Sequence, residues 1–480
     1  MTHTSNRGFE MRRIGQLALV AGLTLASACK SDFLDVPNYN SPTVTAVGKD
    51  PTGIQLLATG IMRAERDQAA GWNRDVGIFG REVYNYFTTD GRTVSHYLVG
   101  IPGPQRLDYG GFASGQWAGR YQGMKNTIAL LDAVGASTLS ASDKSAMQGF
   151  AKTWRAFDLF MVIQTRDTLG APIDIPTDPT VPAPFKTRDE VYAYISTLLD
   201  EAKTNLTAGG TAFPVTLHSG FAGFDTPPTF LKFNRAIAAK VQVIRGSLGC
   251  LATCYNAALT ALNESFVTAP GAATTLAALN AGPNHVYSTT AGDVSNANAF
   301  SVNNYVYAHS QAPTIAQKQG DGVTLDDRVV RKIAKLASPV DPPGKQNIAA
   351  EYRFTIYASD NSPAPVIRNE ELILLRAEAN WATNNTTAAL TDLNNVRTVS
   401  GKLAPLAAVP TGAAGLDLIM YEKHMSLLFE GARWVDMRRW NRLAQLPIDK
   451  AGQFVAKVMP IPQAECDGRV TKPRGCEGNL

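Results

Sequence analysis

The sequence predicts a mainly α-helical protein. Three observations carry this: long segments with apolar residues at helical spacing, helix-start signals at their ends, and a grouping of these segments into pairs joined by short turns. Asp50 to Ala70 reads as a helix with Asp50 as its cap and Pro51 in the first turn. Gln116 to Val134 reads as a second. Ser142 to Arg166 places Phe150, Trp154, Phe157 and Met161 on one apolar face. Thr187 to Leu206 begins with a capping box, Thr187 followed by Glu190. Phe233 to Leu251 with Tyr255 to Phe266, Arg368 to Thr383 with Thr387 to Val399, and Leu416 to Phe429 with Arg433 to Leu443 read as helix pairs. Pairs of about 34 residues resemble tetratricopeptide repeats, with a generic helical bundle as the alternative.

The stretches between the helices differ in kind. Gly71 to Gly115 is rich in Gly, Tyr, Phe, Asn and Thr, and Thr268 to Ala364 is similar, with a β-like run at Phe300 to Tyr307. Connections this long are usually functional or disordered, and their aromatic content argues against disorder. The expected organisation is a signal peptide over 1–28, a tether over 29–49 and one domain over 50–480. Within that domain the helical scaffold is 50–70, 116–267 and 365–460, and the loop-rich ligand regions are 71–115 and 268–364.

The N-terminus reads as an export signal. Met11-Arg12-Arg13 is basic, and the start is either Met1 or Met11. Ile14 to Leu25 is apolar but too short to span a bilayer, and Ala26-Ser27-Ala28 precedes Cys29. The run Leu25 to Cys29 resembles a bacterial lipobox, although Ala26 stands where Leu is usual. Cys29 is therefore the expected lipidation site, and acyl chains there would hold the protein on a membrane.

Composition narrows the function. A net charge of +4 over 480 residues lacks the basic excess of a nucleic-acid binder. Of the five cysteines, four follow Cys29. Local pairing, Cys250 with Cys254 and Cys466 with Cys476, is the simplest connectivity in an exported chain. The second pair closes a polar, turn-rich loop. The first falls in a helical pattern, where an i, i+4 bond is awkward.

Several motifs resemble the SusD/RagB family of outer-membrane nutrient-binding lipoproteins. They are Phe33 to Pro37, Ala151 to Asp158 with Leu169 to Asp174, Arg368 to Ala379 with Leu393 to Arg397, Glu422 to His424 with Leu427 to Trp440, and Met459 to Gln463. They run in the family's order over nearly the whole chain. The family's Asn-Pro-Gly-Tyr-like tail is replaced here by the Cys466 to Cys476 loop. The resemblance implies a SusD-like helical scaffold, a loop-built ligand face for glycan or another nutrient, and a lipid-anchored position at the outer membrane, on the cell surface. It also implies a partner, a SusC-like TonB-dependent barrel.

The chemistry in the sequence fits binding better than catalysis. The histidines lack ligand spacing, and no nucleophile elbow or phosphate loop is present. No metal, cofactor or catalytic residue is expected. Glu430, Arg433, Asp436 and Arg438 read as charges that fix helices to one another. Two alternatives stand beside the binding reading: a scaffold lipoprotein that binds only proteins, and a surface glycosidase using Glu430 and Asp436. For ligand contact, aromatic walls with amide and guanidinium groups are needed. Trp72, Asn73, Arg74, Tyr84, Tyr86, Tyr97, Tyr109, Tyr305 and Tyr307 supply them, with Trp72 and Tyr86 foremost. Phe87 extends the Tyr84 to Tyr86 run, and Trp117 reads as a helix-packing residue.

Overall fold

A computed structural model describes residues 51–87, 89–100, 107, 109–110, 115–178, 180–341 and 348–476. The signal, the tether, Cys29 and the Phe33 to Pro37 motif lie outside the described residues. Helix α1 (Pro51–Phe79) runs past the expected end at Ala70. Gly71 is tolerated because Trp72, Val76 and Phe79 continue the buried face at helical spacing. Helices α2 (Ala118–Ala136) and α3 (Ala141–Arg166) follow, the latter capped by Ser140, which accepts from the Asp143 amide. In α4 (Arg188–Thr207) both bonds of the Thr187–Glu190 capping box are formed.

Helix α5 (Pro227–Arg245) starts earlier than its apolar pattern. Thr226 caps it and the prolines occupy the first turn, where no intrahelical acceptor is lost. The chain then widens into a π-turn over Gly246–Cys250 before α6 (Leu251–Asn263). Gly249 at φ +116° and Leu251 at φ +51° break the helix. The break corrects the premise that made the first cysteine pair awkward, because Cys250 and Cys254 do not share a continuous helix. They are bonded, with Cα atoms 5.6 Å apart. Helices α7 (Asn369–Ala382), α8 (Thr386–Val399), α9 (Gly412–Ser426) and α10 (Arg433–Arg439) complete the scaffold. From α1 to α8 each helix packs on the next, and α9 returns onto α7.

The core is aromatic where α3 meets α5. Trp154 is fully buried, with Phe233, Phe157 and Phe221 at 5.5, 5.6 and 5.8 Å between ring centroids. No helix among the described residues is long and apolar enough to cross a membrane. Cys466 and Cys476 are also bonded, and both are buried.

The two loop-rich stretches meet in one antiparallel sheet. Strands β1 (Val83–Asn85), β2 (Val306–Ala308), β3 (Ile333–Val340) and β4 (Ala350–Phe354) lie in the order β1-β2-β4-β3. Tyr84 pairs with Tyr307, and Tyr307 with Arg353. The β-like run at Phe300 to Tyr307 is shorter than expected, because Ser301 to Asn304 form turns ahead of β2.

Candidate functional site

The sheet stacks aromatic side chains from both loop-rich stretches into one cluster. Tyr84 and Tyr86 stack at 5.6 Å, Tyr86 meets Tyr307 at 5.6 Å, and Tyr307 meets Phe300 at 5.8 Å. Tyr84, Tyr86 and Tyr307 are buried and form its base. The Tyr86 hydroxyl donates to Ile348 O at 2.6 Å, and Tyr84 stacks on His309 at 4.7 Å. These contacts satisfy or cover both rings from within the protein.

The outer layer of the cluster reaches solvent. Phe87 is 37% exposed and lies against half-buried Tyr305 at 4.9 Å. The Tyr305 hydroxyl is 2.6 Å from Asn303 Oδ1, which fixes the ring direction. Phe300 is half-buried beneath the Arg353 guanidinium at 5.6 Å. Arg74 borders the same side. Asp75, bonded to it at 2.8 Å, raises its pKa despite burial, with Tyr97 and Tyr305 contributing to the same field. An exposed apolar ring pair edged by amide and guanidinium groups can hold the C–H face of a sugar ring and bond its hydroxyls.

The remaining expected contacts lie elsewhere. Trp72 is buried on α1, and its Nε1 donates to Glu430 O at 3.3 Å. It packs so closely on Gly431 that a side chain there would clash with the indole ring. Asn73 is buried on the same helix, and Tyr97 is buried against Phe79 at 5.0 Å. Trp72 and Tyr86 are therefore parts of the core, not the leading surface residues the sequence suggested. Tyr109 is half-buried near the C-terminal motif, where its carbonyl accepts from the Gln463 amide. Trp117 precedes α2 and stacks on Phe185 at 5.9 Å. Phe300, Asn303 and Arg353 were not singled out. Phe300 opens the β-like run that also holds Tyr305 and Tyr307, so that run was the available signal.

Glu430 and Asp436 belong to separate ion-pair sets. Glu430 lies 2.9 Å from Arg368 and 3.6 Å from Lys332. Asp436 lies 2.9 Å from Lys423 and 2.8 Å from Arg439. Burial pushes the Asp436 carboxyl up, but Lys423 and Arg439 outweigh it and hold it below the usual carboxylate range. A general acid needs the opposite shift. Arg433 and Arg438 also serve packing: Arg433 bonds His424 and Gln311, and Arg438 lies over the Trp434 ring at 4.6 Å.

Residues 349–472 match the SusD family model, a segment that holds the motifs from Arg368 to Gln463. No curated protein matches the chain. Solved structures with a similar fold include a SusD superfamily protein from Bacteroides vulgatus, at TM-score 0.65 and 17% identity over 89% of this chain and 99% of that one. Surface glycan-binding protein A from Bacteroides uniformis aligns at TM-score 0.63 and 18% identity, covering 88% and 99%. A laminarin-binding SusD-like protein aligns at TM-score 0.58 and 16% identity, covering 89% and 100%. At these identities the likeness is one of fold.

Proposed function

From the SusD-like fold of this chain, we propose that it is a surface lipoprotein of the outer membrane. It binds glycan and hands it to a SusC-like TonB-dependent barrel. It is a binding protein and not an enzyme. The observation that carries this reading is the Phe87–Tyr305 ring pair, with Arg74 and Asn303 beside Tyr305 and Arg353 over the neighbouring Phe300. Two solved proteins of the same fold are described as glycan-binding and laminarin-binding. Glycan is captured on this ring pair, and the lipid on Cys29 holds the protein as a lid at its partner.

Titration calorimetry of the purified protein against an oligosaccharide panel tests the reading. Phe87→Ala and Tyr305→Ala are each expected to weaken binding by about 1 kcal/mol, roughly fivefold, the usual worth of one aromatic contact beyond its area. Trp72→Phe keeps the buried ring and is expected to leave affinity unchanged. Co-purification with a barrel and no saturable glycan binding would replace this reading with a protein-binding scaffold.

The anchor has its own test. Labelled palmitate is expected to enter the full chain in cells and to be lost in Cys29→Ser. Equal labelling of both proteins would remove the lipid and the lid from the proposal.

A further inference from the structure

The helical scaffold carries a second aromatic cavity, apart from the sheet. It lies where the π-turn between α5 and α6 faces the α7–α8 turn and the start of α9, and it measures about 290 Å³. Trp381 and Trp440 form two walls, with centroids 5.9 Å apart and rings at 71°. Tyr255 and Leu251 form the others, and Asn384 and Thr411 supply polar groups. Leu251 is 65% exposed, in a turn closed by the Cys250–Cys254 bond.

One wall holds an unanswered polar group. Trp381 spends its Nε1 on Pro410 O at 3.0 Å. Trp440 Nε1 is buried and has no hydrogen-bond partner. The Tyr255 hydroxyl is bonded with Ser247, whose own proton goes to Ile244 O at 2.8 Å. An indole N–H can only donate, and a buried polar group left unmade is costly. A ligand oxygen reaching Trp440 Nε1 would answer it.

The chemistry of the lining selects the ligand. No charged side chain lines this cavity. Arg439 lies behind Trp440, 5.3 Å from its ring, and is committed to Glu378. An anionic ligand would find no cation and a cationic one no carboxylate. A wholly apolar ligand would leave the Trp440 donor unanswered. The volume lies at the small end for ligand sites, which suits one ring and not an extended chain. We infer that this cavity is a second subsite that takes a single neutral pyranose residue, stacked on Trp381 or Trp440 and bonded through its hydroxyls.

The test uses the full chain and the methyl glycosides of glucose, galactose, mannose and N-acetylglucosamine, with methyl glucuronide as the charged control. Binding is read by intrinsic tryptophan fluorescence in the Phe87→Ala/Tyr305→Ala protein, so the sheet face is silent. Saturable binding of at least one neutral glycoside is expected, with none of the glucuronide. Trp440→Phe keeps a ring but loses the donor, and about fivefold weaker binding is expected. Leu251→Ala removes one wall at an exposed position, and several-fold weaker binding is expected. The inference is overturned by no neutral glycoside binding, by a preference for the glucuronide, or by binding unchanged in both variants. It is also overturned if a tryptophan- or leucine-containing peptide occupies the cavity and no glycoside does. Glycan binding lost only in Phe87→Ala/Tyr305→Ala would overturn this subsite and leave the sheet face standing. Binding lost only in the scaffold variants would do the reverse.

Discussion

Glu378→Gln is expected to lower the unfolding free energy by ~3–5 kcal/mol, the usual loss when one partner of a buried ion pair is removed. Glu378 on α7 is fully buried and accepts from Arg439 at 2.5 and 2.6 Å and from Lys423 at 3.0 Å. Asp436 takes the remaining bonds of the same two cations, at 2.8 Å from Arg439 and 2.9 Å from Lys423. Two carboxylates and two cations therefore balance where α7, α9 and α10 meet. Burial pushes the Glu378 carboxyl up, but Arg439 and Lys423 outweigh it and hold it low. Glutamine keeps the shape and removes the charge, leaving two buried cations with one carboxylate. Chemical denaturation at neutral pH reads the loss. Asp417→Asn serves as the comparison, because Asp417 pairs with Arg442 while 60% exposed. Such a pair is worth ~0–1 kcal/mol. If Glu378→Gln costs no more than Asp417→Asn, the cluster does not hold the scaffold together.

The same cluster separates what the sequence could say from what it could not. The spacing of Glu430, Arg433, Asp436 and Arg438 suggested charges that tie helices, and they do. Their partners Arg368, Lys332, Lys423 and Asp167 come from elsewhere in the chain, and spacing along one helix cannot name them. Helix positions were legible because the 3.6 period and the capping boxes are local signals. The sheet was not, because β1 is completed by β2 from the other loop-rich stretch, and strand pairing at that separation leaves no local period. This is why Tyr84, Tyr86 and Tyr307 looked like surface loops and are buried, while Phe87 and Tyr305, adjacent to them, reach solvent. Trp72 misled for a different reason: α1 continues through Gly71 and carries it into the core. The scaffold cavity was not legible because Trp381 sits in a helix pair and Trp440 ends a family motif, and both read as structural.

The contribution of Glu82 to stability is expected to fall as pH rises from about 4.5 to about 8. This residue is buried next to β1, where its carbonyl accepts from the His309 amide at 2.9 Å. Burial pushes its carboxyl up from 4.5 to about 8, with Arg433 and Lys332 pulling back and Glu430 adding to the rise. Its Oε1 lies 3.6 Å from His424 Nε2. Burial, then Arg433, holds that imidazole well below its ordinary value, so the contact joins two neutral groups near pH 7. Below 4.5 the carboxyl is protonated in both the folded and unfolded chain, and its contribution is constant. Between 4.5 and 8 the unfolded chain releases the proton while the folded chain keeps it. That contribution then declines by up to ~1.4 kcal/mol per pH unit, until both states are ionised. Glu370 acts in a lower window. Burial opposes its ionisation, but Arg368 and Lys332 hold it at about 2, so its contribution is lost only as pH falls from 4.5 toward 2. Denaturation series at pH 5, 6, 7 and 8 on the wild type and Glu82→Gln separate the Glu82 effect from every other titrating group. Glutamine cannot ionise, so the advantage of the wild type over the variant is expected to shrink steadily toward pH 8. Parallel curves would mean that Glu82 ionises at its ordinary pH, and that Arg433 and Lys332 compensate its burial fully.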